Sequence, residues 1–216
     1  MRLYSYWRSS CAYRIRIALN LKGLAYEYVP VNIAPSVSEQ AGETYGAVNP
    51  MQQVPTLEWE EAGRLVRLTQ SVAIAEYLDE RVPDPPLLPP LPLVRARVRE
   101  AVEIVNAGIQ PLQNTNVLTE LRRLDGEAGA ARWALQVMAR GMTALELRAR
   151  LHAGRFSVGD AVSLADVYLI PQLYNARRFG LDVTQFPRLL DVEAQTSSLE
   201  AFVRARPESQ PDAVAG

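Results

Sequence analysis

The chain has 216 residues, of which 48% are hydrophobic and 22% charged, and its formal net charge at pH 7 is -1. This composition is typical of a soluble globular chain with one large or two modest domains. It excludes the basic excess of a nucleic-acid-binding protein, and the single cysteine excludes an internal disulfide. Because cysteine and histidine are not clustered with metal-ligand spacing, we predict no metal site.

The first predicted elements are a strand and a helix joined by a short turn. The apolar and aromatic run 3–6 predicts the strand. Apolar residues at helical spacing over 15–19 predict the helix, which Gly23 would end. Ser9 or Ser10 is then the predicted N-cap.

Ser9, Ser10 and Cys11 therefore form a serine–cysteine turn (residues 9–11) at a helix N-terminus. Unpaired N–H groups and the positive end of the helix dipole stabilise an anion there, including a thiolate. Three interpretations stay open: the turn activates its own Cys11, it activates a thiol brought by a ligand, or it is an ordinary cap beside a structural cysteine.

The next segments predict the rest of a small sheet. Residues 26–31 predict a second strand, parallel to the first because a helix connects them. Residues 34–48 predict a loop with a marginal helix. Residues 54–59 and 65–68, separated by a stretch that contains Gly63, predict an antiparallel hairpin.

Two positions at the ends of these strands are further candidates. Val54-Pro55 is a candidate cis peptide bond, which would leave the backbone of Val54 free to pair with an extended peptide. Ser71 is the predicted N-cap of a helix over 72–78, with capping and anion binding as alternative roles.

A proline-rich run over 83–92 predicts an extended linker. It divides the chain into an α/β domain over residues 1–82 and an all-helical domain over residues 93–216. Residues 1–6 lack the long apolar run of a signal peptide, so we expect a cytoplasmic protein.

The second domain is predicted to be helical throughout. A capping-box pattern at Ser163 and Asp166 predicts the start of a buried central helix. His152, the only histidine, is predicted at the C-terminal end of a helix and away from the chemistry. The predicted helices are 93–124 with a bend near Pro111, 128–152, 164–173 and 189–205, followed by a frayed tail from Pro207.

Five motifs in this order make the chain resemble the zeta-class glutathione transferases over almost its whole length. They cover residues 9–19, 49–57, 70–74, 109–114 and 159–172. The resemblance implies a thioredoxin-like α/β domain followed by an all-α domain, the glutathione transferase architecture. It also implies a homodimer.

The resemblance implies roles for individual residues. Ser9, Ser10 and Cys11 would line the thiol end of glutathione, with a serine hydroxyl donating to the sulfur. Arg8 and Arg177 are our candidates for binding substrate carboxylates. The other predicted glutathione contacts are Gln40, Val54, Pro55, Gln70, Ser71, Gln110 and Asn114.

The family includes maleylacetoacetate isomerases of tyrosine and phenylalanine catabolism. Its reaction would proceed by addition of the thiolate to the cis double bond, bond rotation and elimination. Gln110 favours this substrate over maleylpyruvate, because we read a histidine at that position in bacterial maleylpyruvate isomerases. Transfer of glutathione to α-haloacids and a non-catalytic glutathione-binding module stay as alternatives.

Overall fold

The computed structural model describes residues 1–214. The chain separates into two compact units. The first contains Met1–Pro85 and the described residues from Leu199 onward, and the second is Pro86–Ser198. The expected helical domain over 93–216 differs from this division, because the C-terminal segment packs with the first unit. Among residues 1–214, no helix has both the length and the apolarity needed to cross a membrane.

The first unit is built on a four-stranded mixed sheet with the strand order β2-β1-β3-β4. The strands are β1 (Arg2–Ser5), β2 (Glu27–Pro30), β3 (Thr56–Glu61) and β4 (Arg64–Thr69). Strand β1 pairs in parallel with β2 and antiparallel with β3, and β3 and β4 form a hairpin. These pairings confirm the predicted parallel pair and hairpin.

Four helices belong to the first unit: α1 (Ser10–Leu21), α2 (Glu43–Gly46), α3 (Ser71–Arg81) and α8 (Glu200–Ala205). Helix α1 ends just before Gly23, the predicted stop, which has a φ of 65°. The N–H of Leu24 donates to the carbonyl of Leu19 at 3.0 Å, and the N–H of Gly23 donates to Asn20 at 3.1 Å. This pair of bonds is a Schellman motif, and it satisfies carbonyls that the helix end would otherwise leave unpaired.

The C-terminal tail differs from its prediction. The Asp212 carboxylate accepts hydrogen bonds from the Trp7 N–H and the Tyr28 hydroxyl, and the Gln210 side chain is buried. The prediction that the tail frays is therefore wrong for residues 207–213, while residues 215–216 lie outside the described residues. Long-range polar contacts hold the tail, and no local pattern signals them.

The second unit is helical, with α4 (Pro92–Asn106), α5 (Thr115–His152), α6 (Leu164–Arg178) and α7 (Pro187–Thr196). Helix α5 is interrupted at Gly126, whose φ of 69° is not helical. The predicted bend near Pro111 is a short 3-10 segment, Gln110–Gln113. The helix predicted over 189–205 is two helices, α7 and α8.

Helix α6 begins at the predicted capping box. The Asp166 carboxylate accepts hydrogen bonds from the N–H groups of Ser157 and Ser163, both at 2.8 Å. Tyr168, Leu169 and most of the other side chains of α6 are buried. The predicted central helix of this unit is therefore confirmed, and its cap is local in sequence as expected.

Candidate active site

The serine–cysteine turn begins α1 as the sequence predicts. Ser9 is the N-cap, and its Oγ accepts a hydrogen bond from the Ala12 N–H at 3.2 Å. The side chains of Ser9, Ser10 and Cys11 are all partly exposed. Because Ser9 caps the helix from outside, Ser10 and Cys11 occupy its first turn.

The first turn of α1 has donors available for an anion. The backbone N–H groups of Ser10 and Cys11 meet no acceptor in residues 1–214. They lie at the positive end of a helix whose next residues, Ala12 through Leu19, are all buried. A buried helix with partly exposed first-turn donors can stabilise a thiolate or another small anion at this end.

The side chains of Tyr45 and Asn49 fix the loop before β3. Val54-Pro55 is cis. The carbonyl of Gln53 accepts hydrogen bonds from the Tyr45 hydroxyl at 2.8 Å and from Asn49 Nδ2 at 2.6 Å. The backbone N–H and C=O of Val54 make no hydrogen bond to any part of the chain that the structure describes. These two groups can pair with an extended ligand backbone.

Helix α3 begins one residue earlier than predicted. Gln70, with a φ of 70°, is its N-cap, and Ser71 is its first residue, so the prediction of Ser71 as N-cap is wrong. Ser71 Oγ lies 3.1 Å from Arg14 Nη1 and accepts its hydrogen bond. This contact joins the first turn of α3 to α1 within the first unit.

Two more predicted residues lie in the same unit. The Arg8 guanidinium stacks on the Trp7 ring, 5.1 Å from its centroid. Arg8 Nε and Gln40 Oε1 are buried and have no hydrogen-bond partner in residues 1–214. Buried polar atoms are nearly always paired, so each is suited to a polar ligand group or an ordered water molecule.

The remaining predicted residues, Gln110, Asn114 and Arg177, belong to the second unit. Asn114 is the N-cap of α5, and its Oδ1 accepts from the Thr115 N–H at 2.8 Å. Arg177 forms a bidentate ion pair with Glu193, with both N–O distances at 2.5 Å. That hydrogen bonding raises the pKa of Arg177 above its ordinary value. The described residues contain no group of three or more His, Cys, Asp or Glu placed to hold a metal ion.

Several supporting residues were not assigned a role from the sequence. Asn49 is 1% exposed and shapes the loop before Val54. Arg14 and Arg16 are fully buried in α1. The sequence does contain a signal for both arginines: each lies within an apolar helical run, where a buried charge must have a partner.

Comparisons with known proteins agree with this fold. The family described as glutathione S-transferase, N-terminal domain, matches residues 8–81, which defines the class of protein. A probable maleylacetoacetate isomerase 2 of Drosophila melanogaster is 45% identical over 97% of this chain and 89% of the relative.

Two solved structures extend the likeness. A maleylacetoacetate isomerase of Anaeromyxobacter dehalogenans, solved with GSH in its active site, has a TM-score of 0.91 at 53% identity, covering 99% of this chain and 97% of that chain. A bacterial maleylpyruvate isomerase described as zeta class has a TM-score of 0.93 at 41% identity, covering 99% of this chain and 100% of that chain. The chain belongs to the family of the maleylacetoacetate isomerases and zeta-class glutathione transferases.

Proposed function

We propose that this protein is a glutathione-dependent cis–trans isomerase that converts maleylacetoacetate to fumarylacetoacetate. The observation that carries the proposal is the first turn of α1, where the N–H groups of Ser10 and Cys11, unpaired within residues 1–214, lie beside partly exposed hydroxyls. The identity of 53% to a maleylacetoacetate isomerase solved with GSH supports the cofactor and the substrate.

The chain's own polar groups fit the tripeptide. The backbone N–H and C=O of Val54, unpaired in the part of the chain that the structure describes, suit the cysteinyl residue of glutathione, because a peptide backbone offers the matching donor and acceptor. The N-terminus of α3, with Gln70 and Ser71, suits the γ-glutamyl carboxylate. The unpartnered Oε1 of Gln40 suits a donor at the glycine end. Pro55, Gln110 and Asn114 complete the proposed contacts.

Glutathione, when bound, supplies the thiolate whose reversible addition to the conjugated cis double bond permits rotation to the trans form. The residues of the chain hold that thiolate. The Ser10 hydroxyl donates to the sulfur, and the first-turn N–H groups add the field of the helix N-terminus. Ser9 accepts from the Ala12 N–H, so its role is chiefly to fix the turn. Cys11 borders the sulfur and does not attack.

The substrate is a dianion, and arginine suits its carboxylates. Arg8 is the better placed of the two candidates, because its Nε has no partner within residues 1–214 and it precedes the serine–cysteine turn directly. Arg177 would have to exchange its bidentate pair with Glu193 for the substrate.

Isomerisation of maleylpyruvate is the second candidate function. It rests on the TM-score of 0.93 and 41% identity to a zeta-class maleylpyruvate isomerase. Parallel assays with maleylacetoacetate, maleylpyruvate and an α-haloacid distinguish the three activities, which are the two isomerisations and glutathione transfer. The substrate with the highest kcat/KM at saturating glutathione identifies the function.

The cellular and assembly properties are part of this proposal. We place the enzyme in the cytoplasm, in tyrosine and phenylalanine catabolism, as a homodimer. Most of the proposed glutathione contacts belong to residues 1–82, while Gln110, Asn114 and the substrate contact Arg177 belong to the helical residues 93–216. Sedimentation equilibrium tests the dimer, and a monomer at micromolar concentration would contradict it.

The decisive experiment follows loss of maleylacetoacetate, coupled to fumarylacetoacetate hydrolase, with and without glutathione. Ser10→Ala is expected to lower kcat/KM by about 100-fold, the typical cost of losing one donor to a developing or bound anion. The matched variant Cys11→Ala is expected to stay within about tenfold of wild type, because the attacking thiol is not its own.

Both variants need a check that they fold, for which thermal unfolding by circular dichroism is sufficient. Turnover without glutathione, or loss of activity in Cys11→Ala with Ser10→Ala unaffected, would contradict the bound-thiolate mechanism. Absence of binding to immobilised glutathione would instead contradict the cofactor assignment.

A further inference from the structure

The peptide groups just before the serine–cysteine turn are held by side chains from elsewhere in the first unit. The N–H of Trp7 donates to Asp212 Oδ2 at 3.1 Å, across 205 positions of sequence. The carbonyl of Trp7 accepts from Arg16 Nη2 at 2.9 Å. Trp7 lies two residues before the N-cap Ser9, so its backbone sets the direction from which the chain enters α1.

Asp212 is itself fixed in orientation. Its other oxygen, Oδ1, accepts from the Tyr28 hydroxyl at 2.6 Å. Burial and this hydrogen bond raise the pKa of Tyr28 well above its ordinary value, so the hydroxyl remains a donor to Asp212 at more alkaline pH than an ordinary tyrosine would. The neighbouring Ala213 packs against a cluster that includes Trp7 and Val54. The tail thus contacts the residues that border two proposed glutathione-binding segments.

Asp212 and Arg16 differ in what their loss would do. Arg16 is fully buried and also donates to Ser5 Oγ and to the carbonyls of Tyr6 and Ala205. Its removal would leave buried acceptors without a donor and would unfold the unit. Asp212 is only half-buried, so a variant at this position can keep the fold and change only the turn.

We propose that Asp212 is a positioning residue for the serine–cysteine turn, through its hydrogen bond to the Trp7 N–H. The inference deepens the proposed function, because the turn it holds is the one assigned to the glutathione thiol. Hydrogen bonds to a sulfur anion depend on direction, and a displacement of about 1 Å at a reacting group can cost about 100-fold in rate. The C-terminal tail therefore contributes to catalysis without touching substrate or glutathione.

The first test uses the full-length protein without glutathione. In Asp212→Ala, hydrogen exchange at the hydrogen-bonded amides of Trp7, Ser9 and Ala12 is expected to rise about tenfold, because the turn loses an anchor. Asp212→Asn is expected to restore most of the protection, since its amide oxygen still accepts from Trp7. Glu200→Ala is the control, because Glu200 is an exposed acid of the same segment with only a 3.9 Å contact to Arg204.

The second test is kinetic. Asp212→Ala is expected to lower kcat/KM for glutathione by about tenfold and to move the acidic limb of its pH profile upward by about half a unit. Asp212→Asn should recover both, and Glu200→Ala should change neither. A merely structural role for Asp212 would lower the unfolding temperature without moving the pH profile.

The outcomes separate this inference from the proposed function. Wild-type protein that neither binds glutathione nor isomerises the substrate would contradict the proposed function, while the exchange experiment would still test Asp212. A folded Asp212→Ala variant whose Ser9 and Ala12 amides exchange at the wild-type rate would overturn the inference, even if its Trp7 amide exchanges faster. Wild-type kinetics in that variant would overturn it as well.

Discussion

Three cationic side chains, Arg14, Arg16 and Lys22, are buried in α1 or directly after it. Burial of a charge is costly unless the charge is paired and hydrogen-bonded. Lys22 meets this requirement fully, because its Nζ contacts Asp79 Oδ1 and the carbonyls of Val82 and Pro85, each at 2.6 Å. The only lysine of the chain thus fastens α1 to the end of α3 and to the start of the proline-rich segment.

Replacement of Lys22 by methionine is expected to destabilise the protein by about 3–5 kcal/mol, the usual cost of removing one partner from a buried pair. Methionine keeps the apolar length of the side chain, so the loss isolates the ammonium group. The free energy of unfolding from urea titration measures it.

The control is Arg132→Ala, which removes an ion pair to Asp125 at 2.8 Å whose partners are 71% and 64% exposed. Its loss is expected to cost less than about 1 kcal/mol, because water screens the exposed pair. Equal effects in the two variants would show that the burial of Lys22 does not determine its contribution.

Helix starts in this protein are stabilised by both local and distant groups. Ser9 caps α1 and the Ser163–Asp166 box caps α6, each within three residues of the helix start. Helix α7 has no side-chain cap of its own at Phe186. Its first-turn N–H groups donate instead to the buried carboxylate of Glu146 in α5.

Glu146→Ala is expected to lower the stability of the second unit by about 2 kcal/mol, because two N–H donors at the start of α7 lose their acceptor. Glu146→Gln should cost about half as much, since one amide oxygen remains. Urea unfolding followed by circular dichroism measures both, with Glu120→Ala as the control.

Glu120 suits this purpose because it is an exposed α5 carboxylate whose contact is an ion pair with Arg123 at 2.6 Å. A Glu146→Ala variant as stable as Glu120→Ala would contradict capping of α7 from α5.

For the molecule as a whole, one buried and two partly buried tyrosines predict how stability depends on pH. Desolvation by burial raises the pKa of Tyr26, Tyr28 and Tyr45, all in the first unit. The unfolded chain ionises its tyrosines near pH 10, while the folded chain keeps these three protonated. The folded state then binds more protons, so this contribution to stability is present below about pH 10 and is lost as the pH rises further.

Between about pH 9 and pH 11, the unfolding temperature of Tyr26→Phe is expected to change less with pH than that of the wild type, because one raised pKa is removed. Differential scanning calorimetry across this range measures the difference, and the values at pH 7 serve as the internal reference. Parallel curves for the two proteins would contradict the proposed ionisation difference.

Local patterns in the sequence determined much of the fold and the centre of the candidate site. The alternation and spacing of apolar residues located the strands and α1, Gly23 located its end, and Ser163 with Asp166 located the start of α6. These features could be predicted because each depends on groups within a few residues of one another. The serine–cysteine turn belongs to this set.

Only the tertiary structure decided which distant groups meet. Local patterns did not predict that Glu146 caps α7, that Arg177 pairs with Glu193, or that Asp212 holds Trp7. The physical reason is that such partners are selected by the packing of whole elements, which places a donor beside an acceptor irrespective of their separation in sequence. The predicted fraying of the tail from Pro207 is wrong for the same reason, since its composition is that of a loose end while its contacts fix it to the first unit.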